Sequence, residues 1–129
     1  MPDLFLLFNH LLTDAQADQA RQELGVQNIN VPPDDISSCW ANIPPEPASI
    51  RNVLEPVFSW IDTNVSAGDF LLVQGDFGAC YLVLEHISES GIIPVYATTR
   101  REAVEQRMDD NTIRLTHTFR HVRFRHYGK

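Results

Sequence analysis

The chain has 129 residues, 43% of them hydrophobic, which is enough for one domain (residues 1–129) with a buried core. No run of about eighteen apolar residues occurs, so a membrane-spanning helix is excluded. The formal net charge of −7 argues against duplex DNA as a partner. Cys39 and Cys80 form no CxxC pair, so we predict a reduced cytoplasmic protein. The histidines lack the HExxH and HxH spacings of metal ligands, so we predict no metal and no cofactor.

The charges are unevenly distributed along the chain. Residues 1–99 hold two cations against thirteen acids, a net charge of −11, whereas residues 100–129 hold eight cations against four acids, a net charge of +4. Such asymmetry within one domain indicates a compact anionic partner, for example a nucleotide. The alternative is a solvated basic tail that pairs with the acidic part of the chain.

The first half of the chain alternates apolar runs with helical patterns. Leu4–Phe8 is continuously apolar, as in a central strand, and Thr13 is a good N-cap for a helix that Gly25 ends. Pro56 is expected to bend the long helix that precedes the central strand. The predicted elements are a strand over Leu4–Phe8, a helix over Asp14–Leu24, a strand over Ile29–Val31, and helices over Asp34–Ala41 and Ser49–Asn64.

A buried strand over Phe70–Val73 leads into a turn that two glycines, Gly75 and Gly78, enclose. Glycines let the backbone turn sharply and let a ligand approach it. The helix predicted over Ala79–Glu89 directs its free N–H groups at this turn, which favours an anion. The spacing matches neither GxGxxG nor GxxxxGK[ST], so an ordinary strand-to-helix turn is the alternative.

The last third of the chain reads as one strand followed by a hairpin. Ile92–Ala97 is apolar, and the polar segment Thr98–Arg101 is expected at its carboxyl end. Residues 109–111 (Asp-Asp-Asn) indicate a turn. Residues 103–108 fit a helix as well as a strand, and we interpret Glu102–Met108 and Ile113–His126 as a hairpin with a break near Phe119–Arg120.

This order predicts an α/β fold: a mostly parallel sheet with helices on both faces and a C-terminal β-hairpin. Ligands of such sheets bind outside the carboxyl ends of the strands. Three polar segments follow buried strands and should therefore meet in one site: 9–10, 74–78 and 98–101.

The side chains of these segments suit a nucleotide. Amides of Asn9 and Gln74 can bind a base edge or a phosphate oxygen, an arginine can clamp phosphate, and histidines can transfer protons near neutral pH. Each has a structural alternative: Asp76 as a helix cap, Asn9 bonded to its own turn, His10 as a structural histidine, and Trp40 and Trp60 as core residues. The candidate catalytic residues are His10, Gln74 and Arg100, and the candidate ligand-binding residues are Asn9, Gly75, Asp76, Phe77, Gly78, Thr98, Thr99, Arg101, His121 and Arg123.

Five segments together resemble a known family: Phe8–Thr13, Trp40–Pro45, Leu72–Ala79, Pro94–Arg100 and Phe119–Tyr127. They are similar, in this order, to the small stand-alone CRISPR-associated ring nucleases of type III systems. The resemblance implies a Rossmann-like, CARF-like (CRISPR-associated Rossmann-fold) homodimer. Such proteins cleave cyclic tetra-adenylate, without metal, to linear di-adenylate with a 2′,3′-cyclic phosphate and so switch off antiviral signalling.

The resemblance also implies that the tail residues His121, Arg123 and Arg125 cover the ligand or build the dimer. Two other functions stay open at this point. The first is a non-catalytic sensor of cyclic oligoadenylate with the same fold. The second is a small interaction subunit whose basic hairpin binds an acidic protein or RNA.

Overall fold

The computed structural model describes all residues, 1–129, as one α/β domain with a five-stranded sheet. None of its helices combines the length and apolar composition needed to cross a lipid bilayer. The elements are β1 (Leu4–Leu7), α1 (Asp14–Gln19, continued by a π-helical turn over Ala20–Leu24), β2 (Ile29–Asn30), α2 (Asp34–Ala41), α3 (Glu55–Asn64), β3 (Phe70–Val73), α4 (Phe77–His86), β4 (Ile93–Arg107) and β5 (Ile113–His126).

The sheet is mixed, with the strand order β2-β1-β3-β4-β5. The first four strands in this order are parallel, and β5 pairs antiparallel with β4 at the edge. The predicted α/β class, with parallel strands and a C-terminal hairpin, is confirmed.

Helices cover both faces of the parallel strands, as predicted. Alternate residues of β1 point to opposite faces, so Phe5 and Leu7 belong to one core and Leu4 and Leu6 to the other. The first core is closed by α2, α3 and α4, and the second by the π-helical end of α1. Strands buried on both faces explain why these segments are continuously apolar in sequence.

The helix ends show where local signals were sufficient. Thr13 is the N-cap of α1 and forms a capping box with Gln16, and Gly25 ends the helix with a φ of +67°. Helix α2 has the predicted bounds. The prediction of a helix from Ser49 is wrong, because α3 begins at Glu55. Pro56 lies in its first turn, where a missing N–H costs no hydrogen bond, so it starts the helix instead of bending it.

The largest difference concerns β4, which does not end at Ala97 but continues to Arg107. Thr98–Arg101 is therefore strand and not a loop. The predicted break near Phe119–Arg120 is also wrong. The irregularity is at Val122, an extra residue in β5, since Thr98 pairs with Arg123 and Thr99 with His121. We call residues 99–121, in which β4 and β5 have only each other as partners, the arm.

Candidate functional site

The site is built around the carboxyl ends of β1 and β3, which lie side by side at Leu7 and Val73. The chain leaves β1 toward α1 on one face, and leaves β3 toward α4 on the other. Two neighbouring strands whose connections diverge open a crevice, and this is where ligands of open α/β sheets bind.

Gln74, the residue after β3, makes three hydrogen bonds, one each to β1, β4 and α2. Its backbone N–H donates to the carbonyl of Leu7 at 2.9 Å, and its side-chain Oε1 accepts from the N–H of Ala97 at 2.7 Å. Its backbone carbonyl accepts from Trp40 Nε1 at 2.8 Å. The side chain therefore extends the hydrogen bonding between β3 and β4 beyond the end of β3. Only its amide nitrogen makes no hydrogen bond within the chain.

Gly75 is required by Trp40 and not by a ligand at the same position. A Cβ at residue 75 would lie 2.8 Å from Trp40 Nε1 and 3.0 Å from Trp40 Cε2, which no real contact allows. Trp40 is 2% exposed and belongs to the core, so the structural reading of this tryptophan is confirmed. Trp60 also packs against that core.

The first turn of α4 is already occupied by the protein's own carboxylate. Asp76 is the N-cap, and its Oδ2 accepts from the N–H of Ala79 at 3.0 Å. The helix N-terminus therefore does not offer the free anion site that the turn suggested, and the capping alternative for Asp76 is confirmed. At Gly78 an added Cβ would make only ordinary contacts, at 3.5 Å and beyond.

An aromatic cavity of about 420 Å³ lies between α4 and the β4–β5 pair. The rings of Tyr96 and Tyr127 are 4.8 Å apart, and the guanidinium of Arg125 lies 5.6 Å from the Tyr96 ring while donating to its hydroxyl at 3.0 Å. Phe77, 95% exposed, stands at the mouth. The cavity is lined by Gln74, Gly75, Phe77, Cys80, Tyr81, Leu84, Tyr96 and Tyr127.

Two ionisable groups in this cavity, Tyr127 and Cys80, have raised pKa values. Tyr127 donates its hydroxyl hydrogen to the carbonyl of Val73, and burial, with smaller contributions from Cys80 and Tyr96, raises the pKa of Tyr127 to about 12. Burial also raises the pKa of the Cys80 thiol, although a hydrogen bond from the Gly75 backbone opposes the shift. A thiolate nucleophile is therefore disfavoured here.

Asn9 and His10 line a different cavity, of about 280 Å³, beyond the ends of β1 and β2. Both are exposed, and neither side chain makes a hydrogen bond within the chain, so Asn9 is not engaged by its own turn. The His10 ring packs edge-on against Phe8 at 5.5 Å. These two side chains are free to bind a ligand, but not in the same cavity as Gln74.

Thr99 and His121 line a third cavity, between α1 and the base of the arm. His121 Nδ1 lies 3.4 Å from Gln16 Nε2, and Gln19 Nε2 donates to the carbonyl of Val122 at 2.7 Å. His121 Nε2 is buried without a partner. Burial lowers the pKa of His121, and the charge of Glu23 partly offsets this shift. Through its contact with Gln16, His121 joins the arm to α1.

The remaining candidates are exposed or lie elsewhere. Thr98 exchanges hydrogen bonds with the backbone of Arg123, which borders a fourth depression together with Glu23. Arg100 and Arg101 are exposed strand residues and line none of the four cavities. The expectation of one pocket for all candidates is wrong. Asn9 and His10 line a cavity apart from that of Gln74, and Thr98–Arg101 continues β4 as strand instead of turning toward Gln74. No group of three His, Cys, Asp or Glu side chains could hold a metal ion.

The structure adds a basic surface beside the aromatic cavity. Residues paired directly across an antiparallel ribbon share a face, and alternate residues along a strand share it too. The face that carries Tyr96 therefore also carries a series of arginines, with Glu102 as the acid among them, 4.0 Å from Arg120. These arginines are Arg100, Arg114, Arg120, Arg123 and Arg125, and we call this surface the arginine face.

Sequence reasoning missed the three tyrosines that define the cavity. Tyr81 follows Phe77 by four residues on α4, which places both on one side of the helix and was a readable signal. Tyr96 and Tyr127 come together only through the pairing of β4 with β5, which local patterns did not indicate.

Comparison with known proteins identifies the family. The Uncharacterized protein MJ1673 family matches residues 2–125, and the chain belongs to it. A protein of Methanocaldococcus jannaschii, "Uncharacterized protein MJ1673", is 39% identical over 128 residues, covering 99% of this chain and 98% of the relative. No solved structure matches.

Proposed function

We propose that this member of the Uncharacterized protein MJ1673 family binds a cyclic oligoadenylate in the cytoplasm and cleaves it. In this proposal the α/β fold is Rossmann-like and CARF-like, and two copies form a homodimer around the ring. The aromatic cavity, bordered by the arginine face of the arm, is the observation that carries the proposal.

The cavity suits an adenine. Its volume of about 420 Å³ falls in the usual range for small-ligand sites, and its walls are aromatic. A planar base can stack on the ring of Tyr81 or Phe77, and such stacking contributes about 1–3 kcal/mol per base. The free amide nitrogen of Gln74 can donate to a base nitrogen or a ribose oxygen.

The arginine face suits the backbone of the ring. Arg125 is held at the cavity by the Tyr96 hydroxyl, 3.0 Å away, so a phosphate adjoining a stacked base meets a positioned guanidinium. Arg100 and Arg120 continue the positive face along the arm. A ring is a compact polyanion, which this local charge can bind although the rest of the chain is acidic.

The proposed reaction uses the substrate's own hydroxyl. A ribose 2′-oxygen loses its proton and attacks the adjacent phosphorus; the bond from phosphorus to the 5′-oxygen breaks, and that oxygen takes up a proton. The products are a 2′,3′-cyclic phosphate and a free 5′-hydroxyl. Gln74 and Arg100 would position and neutralise the phosphate, and His10 would accept the proton.

One observation favours the second candidate, a non-catalytic sensor of the same ligand. His10 and Gln74 line separate cavities, at the ends of the neighbouring strands β1 and β3. Joint action therefore requires a ring large enough to reach from one cavity to the other. A protein that only binds the ring has no such requirement.

Purified protein incubated with cyclic tetra-adenylate in EDTA separates the two candidates. Linear di-adenylate with a cyclic phosphate supports cleavage, tight binding of an intact ring supports the sensor, and absence of binding removes both. The residue Gln74 is tested as Gln74→Glu, which keeps the oxygen that accepts from Ala97 and removes the amide donor.

Arginine variants supply the matched pair for this experiment. Arg125→Ala should weaken ring binding about tenfold or more, because a charge-assisted contact to phosphate is lost. Arg51→Ala is the control, since Arg51 is an exposed cation outside the β4–β5 ribbon and pairs with Glu85 at 3.5 Å. Equal binding by both variants would show that the arginine face is not the ligand surface.

A further inference from the structure

Apart from its base, where His121 contacts α1, the arm has no packing partner within the chain. β3 pairs with β4 only as far as Leu72 and Val95, and beyond Thr98 the strands β4 and β5 pair only with each other. At about 3.3 Å per residue the arm projects roughly 30 Å past the sheet. An isolated two-stranded ribbon is marginally stable in water, so a ribbon of this length needs a surface to lie on.

One face of the arm carries large exposed apolar side chains along β5, and we call it the apolar face. Ile113, Leu115 and Phe119 alternate along β5 on the same face and are 61%, 55% and 68% exposed. A contiguous series of large exposed apolar side chains is unusual on a monomer and marks an interaction surface. The β4 partners of these three residues, Arg107, Glu105 and Arg101, lie on the same face beside them, whereas the other arginines of the arm lie on the opposite face.

This apolar face continues the core on the α1 side of the sheet. Ala97 and Phe124 belong to that core, and next along the ribbon His121 contacts Gln16 of α1. Farther out, Phe119 still borders the cavity beside α1, but Leu115 and Ile113 are exposed and line none of the four cavities. The apolar face therefore begins in the core beneath α1 and extends beyond the part that α1 covers.

We infer that the apolar face of the arm docks on the body, residues 1–99, of a second copy. Charge favours this partner: the body carries a net charge of −11, whereas the docking face carries Arg101 and Arg107 against Glu105, a net charge of +1. Contact between two arms would bring like charges together, whereas contact between arm and body joins opposite charges.

The buried area points the same way. A ribbon face roughly 30 Å long and roughly 10 Å wide offers about 300 Å². Two arms stacked on each other would bury about 600 Å² in all, which is typical of crystal contacts. Reciprocal docking, in which each arm covers the other body, buries about 1,200 Å² and reaches the range of specific interfaces.

This inference does not rest on ring cleavage, and its test uses no ligand. Wild-type protein and variants are compared by analytical ultracentrifugation over a range of concentrations. Leu115→Asp and Phe119→Asp should raise the dimer dissociation constant about tenfold or more. Thr116→Asp and Thr118→Asp are the matched controls, because these residues lie on the same strand and the opposite face and should leave the dimer intact.

A photo-crosslinking amino acid at Leu115, in a mixture of isotopically heavy and light chains, then locates the contact. Heavy-to-light links from residue 115 to peptides within 1–99 are expected. Links from arm to arm, a monomeric wild-type protein, or equal effects of the Phe119→Asp and Thr118→Asp changes would overturn the inference. Circular dichroism confirms that each variant is folded, which is expected because these side chains lie outside both cores.

Discussion

The close approach of Gly75 to Trp40 gives the sharpest prediction, for the substitution Gly75→Ala. The added methyl would lie 2.8 Å from Trp40 Nε1, 3.0 Å from Cε2 and 3.3 Å from Cζ2, so the indole must move. Trp40 is 2% exposed and its Nε1 donates to the carbonyl of Gln74 at 2.8 Å. Moving the ring therefore strains the core and lengthens a buried hydrogen bond at once.

The magnitude follows from these two effects. Overpacking a core costs about 1–3 kcal/mol, and leaving the indole N–H without a partner costs about 1–3 kcal/mol. Replacing glycine by alanine recovers about 0.4–1 kcal/mol by restricting the unfolded chain. We expect the free energy of unfolding of Gly75→Ala to be about 2–4 kcal/mol lower than that of the wild type.

Urea unfolding, followed by tryptophan fluorescence and circular dichroism, measures this difference. The control is Gly78→Ala, where the nearest atoms to the added methyl are Asp76 Oδ2 at 3.5 Å and Ile50 Cδ1 at 3.7 Å. That variant should be unchanged or slightly more stable, because alanine is the better helix former. Wild-type stability of Gly75→Ala would refute the steric argument.

Three further stability predictions concern Asp76, His121 and Tyr127. Asp76→Ala removes the cap of α4 and should lower the free energy of unfolding by about 1 kcal/mol, whereas Asp76→Asn should keep most of it in the same urea assay. His121 has a lowered pKa in the folded state, so the unfolded chain binds the proton first and the free energy of unfolding falls as the pH drops below the ordinary value of 6.5. The urea midpoint of His121→Gln should fall less than that of the wild type over this range. Identical pH profiles of the two proteins would contradict the assignment. Tyr127 has a pKa raised from 10.0 to about 12, so stability should decrease as the pH rises through that interval, and thermal melts of Tyr127→Phe should lack this decrease.

Much of the fold was readable because its signals are local. Four continuously apolar residues mark β1 and β3, since a strand covered on both faces has no polar side. Thr13 and Gly25 fixed the ends of the first helix by backbone hydrogen bonding and a left-handed φ, both of which depend on neighbours in sequence.

One part of the misplaced site has its origin at residues 98–101. Polar residues after an apolar strand were interpreted as a loop, but in an antiparallel ribbon both faces can be exposed, so a strand can continue with no apolar pattern. Because β4 continues, Arg100 follows the arm and does not reach the pocket of Gln74, while Asn9 and His10 line a separate cavity beyond β1 and β2. The pairing that keeps this segment extended comes from residues 119–123 of β5, which lie later in the chain.

Apolar runs, caps and turn glycines therefore define the α/β class, the central strands and the helices of this protein, because each acts over a few neighbouring residues. The aromatic cavity, and the apolar and arginine faces of the arm, do not follow from such local signals. Tyr96 meets Tyr127, and Gly75 meets Trp40, only after strands and helices distant in sequence have packed together. Contacts of that kind depend on the register of the sheet and the shape of the core, which no stretch of neighbouring residues encodes.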